Sequence, residues 1–440
     1  MDFGILTIVP LVLMVVLVMT TKRVLESMII PLLMVFIMKD GTGFLFGFMD
    51  SFYAVMAEGT FPWVMFCISM FGSLIALLLA SGAIDGFKRL AIRYIKSEKS
   101  SMVFTWILGL VICIDDYIND LAIGPTVRKI TDANGVPREG IGIVILSLGV
   151  PICTMLPVTA MAAFVFGIMQ DNGISSEDSM LLTEYAKLLP FMAFPICIAI
   201  VTLLLAVGIL PKFGPLKKAF AQSRENLKDV EVEEVEGGNL IDFIVPVVVL
   251  LLMVLIFHEL IIATLAAIAT CFVMYIPRKL MTLSEFFENF NEGIKDMAEI
   301  IVILLAVFIF VNGLDGIGLS DYVIKTVSPV LVGGVIPVLS FIVVALLVFG
   351  GMDYWAGMVL IAPIIIPLAQ TFDVNVYLTM AAAVSGSVCG GNACFFGEQM
   401  LLVSEAVELP PSKLGYANLP YAIIAAVAAA IFYLVMGFVL

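Results

Sequence analysis

Three acids and an amide stand inside a stretch that should be purely apolar. In Thr105-WILGLVICI-Asp115-Asp116-Tyr117-Ile118-Asn119-Asp120 the charges fall deep within a run long enough to cross hydrocarbon. Ionisable groups at that depth cost roughly 2.5–3.5 kcal/mol each and face a cavity or a partner. On a helix Asp116 and Asp120 share a face, and Asn119 lies on the face of Asp115 and Asp116. Carboxylates this close cannot all stay ionised without a cation, so at least one is expected to hold a proton or coordinate an ion. The chemistry expected is reversible cation binding.

Further along, Phe349-Gly350-Gly351-Met352-Asp353-Tyr354-Trp355-Ala356-Gly357 sets a single acid between aromatic residues, with glycines that permit unwinding. Ser385-GSVCGG-Asn392-ACFFG-Glu398 breaks another apolar run with small residues, an amide and an acid expected to be buried. This is the pattern of a hairpin tip or a broken helix, whose freed carbonyls ligate sodium and whose amides face an anion. Its first-half counterpart is Val150-PICTML-Pro157-Val158-Thr159, with Thr154 and Thr159 as hydroxyl ligands. Tyr117, Tyr354 and Trp355 offer ring faces to a cation. No Lys or Arg lies in these interrupted segments, so the local field favours a cation, or a zwitterion met by helix N-termini. The lone His258, beside Glu259 at an expected external turn, is no candidate for proton coupling, and the scattered cysteines provide no metal spacing and no nucleophile with a base.

The elements that must position these residues are membrane helices. Of 440 residues 62% are hydrophobic and 13% charged, a composition that water does not solvate as a globular domain. Apolar blocks at about 4–20, 24–38, 60–82, 102–128, 140–169, 188–210, 240–257, 259–276, 298–318, 328–350, 353–371, 376–396 and 417–440 are long enough for helices across roughly 30 Å of hydrocarbon. They exclude an outer-membrane barrel, whose strands are short and alternating. The net charge of −14 argues against nucleic acid as a partner. Basic residues cluster at Lys22/Arg23, at Lys88 to Lys99, at Lys212 to Lys228 and at Arg278/Lys279, and the positive-inside rule places all four in the cytoplasm. Three apolar segments lie between the second cluster and the third, where an even number of crossings is required. One of them must therefore fail to cross, or cross twice.

The sequence also repeats. Asp2-Phe3 before ILTIVPLVLMVVL matches Asp242-Phe243 before IVPVVVLLLMVLI, an offset of 242 − 2 = 240, and Asp116-Tyr117 matches Asp353-Tyr354, an offset of 353 − 116 = 237. The expected organisation is a first repeat over 1–211, a hydrophilic cytoplasmic linker over 212–239 and a second repeat over 240–440. The first repeat starts outside and the second inside, the inverted topology of secondary transporters, whose site lies at the midplane between the halves. The fold class expected is an all-α polytopic membrane protein of about 10–13 membrane segments with broken helices or re-entrant hairpins.

Ile114-Asp115-Asp116-Tyr117-Ile118-Asn119, followed by Gly124 and by Thr131-DANGVP-Arg138-Glu139, resembles the signature of the NhaC-type sodium/proton antiporters of the ion-transporter superfamily. The resemblance implies inverted repeats with discontinuous helices, a homodimer, and elevator-like movement of a transport domain against a scaffold. It implies sodium or protons as coupling ions, with no other cofactor. The second half departs from it: Phe349-GGMDYWA-Gly357 and Gly391-NACFFG-Glu398 lack the hydroxyls that resemble hard sodium ligands in such proteins. The site expected is therefore Asp115, Asp116 and Asp353, with Asp116 and Asp353 as the sodium ligands. Asn119 and Asn392 add neutral oxygens and Glu398 a secondary carboxylate. Sodium/proton antiport across a bacterial or archaeal cytoplasmic (inner) membrane is the first expectation. Coupled transport of a small organic cation, such as an amine or guanidinium compound, or of an amino acid is the alternative.

Overall fold

A computed structural model describes residues 3–21, 24–57, 60–82, 84–113, 116–175, 179–225, 239–257, 259–319, 322, 325–326, 332–350, 352, 354–395 and 397–440. Every regular element among the described residues is helical, and no strand occurs among them. Backbone groups in hydrocarbon must be satisfied within their own segment, which is why an apolar chain of this kind resolves into helices.

The segment read as one span over 102–128 is two helices, Glu98–Val111 and Asp116–Ala133, packed on each other. Asn119 Nδ2 donates to the Gly109 carbonyl at 2.7 Å, a bond between residues on opposite arms of a chain reversal. This first hairpin resolves the parity required by the charge distribution, since it enters and leaves on one side. The second half repeats the device with Ile336–Phe349 and Tyr354–Thr371. There the arms approach so closely that a Cβ on Gly357 would lie 2.8 Å from the Val348 side chain.

Each hairpin is followed by a broken span. Arg138–Leu146 and Gly149–Met155 lead through a break at 156–159 into Ala160–Asp171, and Val376–Ala393 leads into Glu398–Ala406 with a bend of 46°. In the first half Leu181–Phe191 and Ala193–Ala206 are also bent, by 60°, whereas the last helix, Pro411–Val439, is continuous over 29 residues.

Helix starts measure the repeat. Glu98, Arg138 and Ala160 open helices in the first half, and Ile336, Val376 and Glu398 open their counterparts, each 238 residues later (336 − 98, 376 − 138, 398 − 160). This corrects the offset of 237 at the hairpin tips: Asp353 answers Asp115, and Tyr354 answers Asp116. Elsewhere, 39–57 and 283–296, which carry no long apolar block, fold as the helices Phe44–Ala57 and Leu283–Asp296.

The hairpins enter from opposite ends. The Pro411–Val439 helix is about 43 Å long at 1.5 Å per residue. Near its start, Arg138 bonds Glu408 at 2.9 Å, and Glu98 at the base of the first hairpin pairs with Lys212 and Arg224. Near its end, a Cβ on Gly437 would lie 2.1 Å from the carbonyl of Gly334 at the base of the second hairpin. The start of this helix lies at the end of the molecule where the basic clusters Lys88 to Lys99 and Lys212 to Arg224 gather.

The helices sort into two bundles, each drawn from both halves. One contains Val9–Thr21, Val24–Asp40, Phe44–Ala57 and Thr60–Ala80 with Ile241–Phe257, Leu260–Tyr275, Leu283–Asp296 and Ala298–Gly316. The other contains the hairpins, the broken spans and the helices that follow them.

Candidate cation site

The two hairpin tips meet. Asp116 opens the outgoing helix of the first hairpin, where unsatisfied backbone N–H groups favour a carboxylate. Its side chain is 8% exposed, and its Oδ2 accepts a hydrogen bond of 2.7 Å from the Tyr354 hydroxyl. Tyr354 is its counterpart in the repeat, so the pseudosymmetry relating the halves passes between two residues in direct contact. Ser387, on the second broken span, donates to the Tyr354 carbonyl and fixes that tip from behind.

Around this pair the polar groups come from both halves. Asn119 is fully buried; its amide nitrogen holds Gly109, and among the described residues its Oδ1 has no hydrogen-bond partner. Asp120, 1% exposed, lies against the helix opened by Gly149, where a Cβ would come within 2.2 Å of its Oδ1. Only glycine allows that approach. Asn392 Nδ2 and Gln399 Nε2 both donate to the Leu146 carbonyl, at 2.9 and 3.1 Å, so the break of the second span is tied to the Ser147–Leu148 interruption of the first. Asn392 is in turn held by Asn418, whose Nδ2 donates to its backbone oxygen at 2.9 Å and its Oδ1 at 3.0 Å.

Thr154 answers Asn392 in the repeat, 392 − 154 = 238, and the carbonyls of both are capped by a later side chain, Thr154 by the Tyr185 hydroxyl at 2.6 Å. The hydroxyls expected as ligands serve the backbone here. Thr154 Oγ1 donates to Val150 at 2.7 Å, and Thr159 accepts from Ala162 at 3.1 Å as the cap of its helix. Trp355 is 5% exposed and its ring meets Phe164 edge-on with centroids 4.7 Å apart, and Tyr354 at 5.5 Å. Glu398 departs from expectation: it is exposed at the first turn of its helix, immediately after the break, although its sequence neighbours are apolar. Asp115, Asp353 and His258 lie outside the described residues, and the side chain of Tyr117 is likewise outside the description.

The residues that sequence reasoning passed over are Gln399, Asn418, Ser387 and Gly109. Asn418 carried a signal, being an amide in a long apolar helix; the others are ordinary residues until the breaks are brought together. At the end of the molecule that carries the basic clusters, Arg128 and Arg138 are both tied into the fold. Arg128 donates to the Ala406 carbonyl at 3.3 Å and pairs with Glu408 at 2.8 Å, and Arg138 bridges Glu408 and Asp132. Burial holds Asp132 above the usual carboxylate range against the opposing pull of Arg138 and Arg128. This cluster clamps the first hairpin to the Glu398–Ala406 helix.

Two inverted hairpins, two broken spans and a buried carboxylate at their meeting point define a polytopic secondary transporter. Comparison with known proteins gives the family. Residues 151–438 match the Na+/H+ antiporter family, and the chain belongs to it. It is 24% identical to an uncharacterised protein of Haemophilus influenzae, over 98% of this chain and 91% of that one. Its fold resembles that of the Alcanivorax borkumensis YdaH transporter, with a TM-score of 0.64 and 14% identity over 90% of this chain and 88% of the other. It also resembles Neisseria gonorrhoeae MtrF, described as illuminating a class of antimetabolite efflux pumps, with a TM-score of 0.63 and 16% identity over 91% and 85%. The protein is a multi-pass membrane transport protein.

Proposed function

We propose that this protein exchanges sodium for protons across a bacterial or archaeal cytoplasmic membrane, using the carboxylates at the hairpin tips as the shared site. The observation that carries this reading is the buried Asp116 at the junction of the halves, hydrogen-bonded by Tyr354 of the opposite hairpin. Proton and cation occupy the same acids in turn. Asp115, Asp116 and Asp353 form the ionisable set, Asp116 and Asp353 ligate the ion, and the amide oxygens of Asn119 and Asn392 complete its shell. Glu398 stands at the approach from water. A carrier with a charged, empty site faces a large cost in crossing hydrocarbon, so the loaded or protonated forms move. The bundle holding the hairpins and broken spans slides as an elevator against the other bundle, within a homodimer whose repeats are 1–211 and 240–440, joined by a cytoplasmic linker.

A second reading is favoured by the Tyr354 ring, which reaches Asp116 through its hydroxyl and continues into Trp355 and Phe164, an aromatic cluster that suits an organic ammonium or guanidinium group as cargo. Thermal-shift measurements on the purified protein separate the two, because cargo bound to the native state raises stability. Sodium and lithium stabilise it under the first reading; amines, guanidines or amino acids do so, with sodium silent, under the second. Loss of the shift in Asp116→Asn is expected in either case, and its persistence would remove Asp116 from the site.

A further inference from the structure

The repeat is obeyed by the helices but not by their contacts. In the first half, Thr60–Ala80 packs against Ala160–Asp171, the outer arm of the first broken span, with Trp63 and Phe166 edge-on at 6.0 Å between centroids. The counterpart of that contact under the 238-residue offset pairs Ala298–Gly316 with Glu398–Ala406. Among the described residues it is not formed to a comparable extent. Instead Ala298–Gly316 packs against Tyr354–Thr371 of the second hairpin, a contact whose own counterpart, Thr60–Ala80 on Asp116–Ala133, is also not comparably formed.

The asymmetry has a direction. Ala160–Asp171 and Tyr354–Thr371 run from the midplane to the external end, and both are packed on the other bundle. Asp116–Ala133 and Glu398–Ala406 run from the midplane to the cytoplasmic end, and they are packed on each other. A Cβ on Gly124 would lie 2.5 Å from the Ala406 carbonyl, and Arg128 bonds that carbonyl and Glu408. The external arms pack on the other bundle, whereas at the opposite end Glu398–Ala406 packs on Asp116–Ala133, which is reached from the other bundle through Ile84–Tyr94, itself held on Ile241–Phe257 by Phe87 and Phe243 at 5.6 Å between ring centroids. Glu398, exposed beside the break, lies on the cytoplasmic side of the tips.

We infer that the structure is the cytoplasm-facing state and that the outward-facing state is its repeat-exchanged counterpart. An inverted repeat supplies a second arrangement of similar energy by interchanging the conformations of its halves. The exchange specifies residues. Trp63 maps to Ile301 (63 + 238) and Phe166 to Ser404 (166 + 238), so Ile301 and Ser404 meet when Trp63 and Phe166 part. The Arg128–Glu408 clamp opens in the same step. Ser404 is 3% exposed and among the described residues its hydroxyl has no hydrogen-bond partner, so it already lies at a buried contact that this exchange would rebuild.

This inference rests on the alternating-access reading above, and its test is scored without measuring transport, so that the two can fail separately. In the full chain with its seven cysteines replaced, Trp63→Cys/Phe166→Cys and Ile301→Cys/Ser404→Cys are oxidised in membranes and the cross-linked fraction is read by gel shift. Both pairs are expected to cross-link, with conditions that raise one yield lowering the other. Arg128→Ala is expected to raise the Ile301/Ser404 yield at least several-fold. If Ile301/Ser404 never cross-links while Trp63/Phe166 does, or if both form together in the quadruple variant, the inference is wrong. Single cysteines give a second measurement that does not depend on a tolerated pair. Glu398→Cys should react with an impermeant thiol reagent from the cytoplasmic face, and Ala160→Cys, its counterpart, from the external face only. Reaction of both from the same face overturns the assignment.

Discussion

Tyr354→Phe removes one hydroxyl and leaves the ring, so its packing against Trp355 at 5.5 Å is kept. What is lost is a 2.7 Å hydrogen bond to a buried carboxylate, delivered from the other half of the molecule. Hydrogen bonds to charged groups contribute about 1.5–3 kcal/mol, and at 1.4 kcal/mol per factor of ten this corresponds to about 10- to 150-fold. The bond supports the ionised form of Asp116, which is the form that a cation needs and a proton opposes. The variant should therefore show an apparent cation affinity lower by about that factor at acidic pH, with the deficit shrinking as pH rises and the proton ceases to compete. The assay is cation-dependent quenching or recovery of a lumenal pH dye in proteoliposomes, run as a cation titration at several pH values. Wild-type affinity at every pH would refute the role given to this bond. So would a loss that is the same at every pH, because that would place the hydroxyl on the cargo and not on the acid.

Three further outcomes are expected. The Leu146 carbonyl accepts from both Asn392 and Gln399, so Gln399→Ala should lower the unfolding midpoint modestly, at about 0.5–1.5 kcal/mol. Asn392→Ala/Gln399→Ala should exceed the sum of the single changes, because only the double change leaves that carbonyl bare; additive loss contradicts the shared role. Gly124→Ala drives a methyl to 2.5 Å from the Ala406 carbonyl and should cost about 1–3 kcal/mol in thermal unfolding, and an unchanged midpoint would contradict that close approach. Burial opposes ionisation of Glu98, but Lys212 and Arg224 outweigh it and hold this acid below the usual range. Its contribution is thus complete above the ordinary carboxylate value near 4 and is lost as pH falls through the depressed one. Glu98→Gln should be less stable at neutral pH and lose less on acidification, and parallel stability–pH curves for the two proteins would count against it.

Much of this architecture was legible in the sequence because hydrocarbon imposes a simple rule: apolar blocks become helices, and acids inside them stand out. Asp116, Asn119, Asp120 and Asn392 were visible for that reason, and all four are buried near the junction of the hairpins and broken spans. The parity of basic clusters required a segment that turns back, but hydropathy could not say which, since a hairpin and a long span have the same composition over 102–128. Leu283–Asp296 escaped because it is amphipathic, with acids such as Glu285 and Glu292 diluting the apolar signal, whereas Phe44–Ala57 is apolar but only 14 residues long and interrupted by Asp50. The offset of 237 followed the shared Asp-Tyr letters, whereas the backbone keeps 238; identity of letters was the weaker guide. Gln399 and Ser387 gain their roles only through the meeting of two breaks far apart in the chain, which no local pattern encodes. Glu398 was expected to be buried because its sequence neighbours are apolar, whereas it is exposed in the first turn of the helix that follows the break.

The central claim is that acids at the hairpin tips are shared by cation and proton. The most direct test places the purified protein in liposomes, imposes an inward sodium gradient and follows lumenal pH. Sodium-evoked alkalinisation that saturates with sodium and disappears in Asp116→Asn is the result expected. Alkalinisation that survives intact in Asp116→Asn, or the absence of any pH response in wild-type protein that still carries sodium, would contradict it.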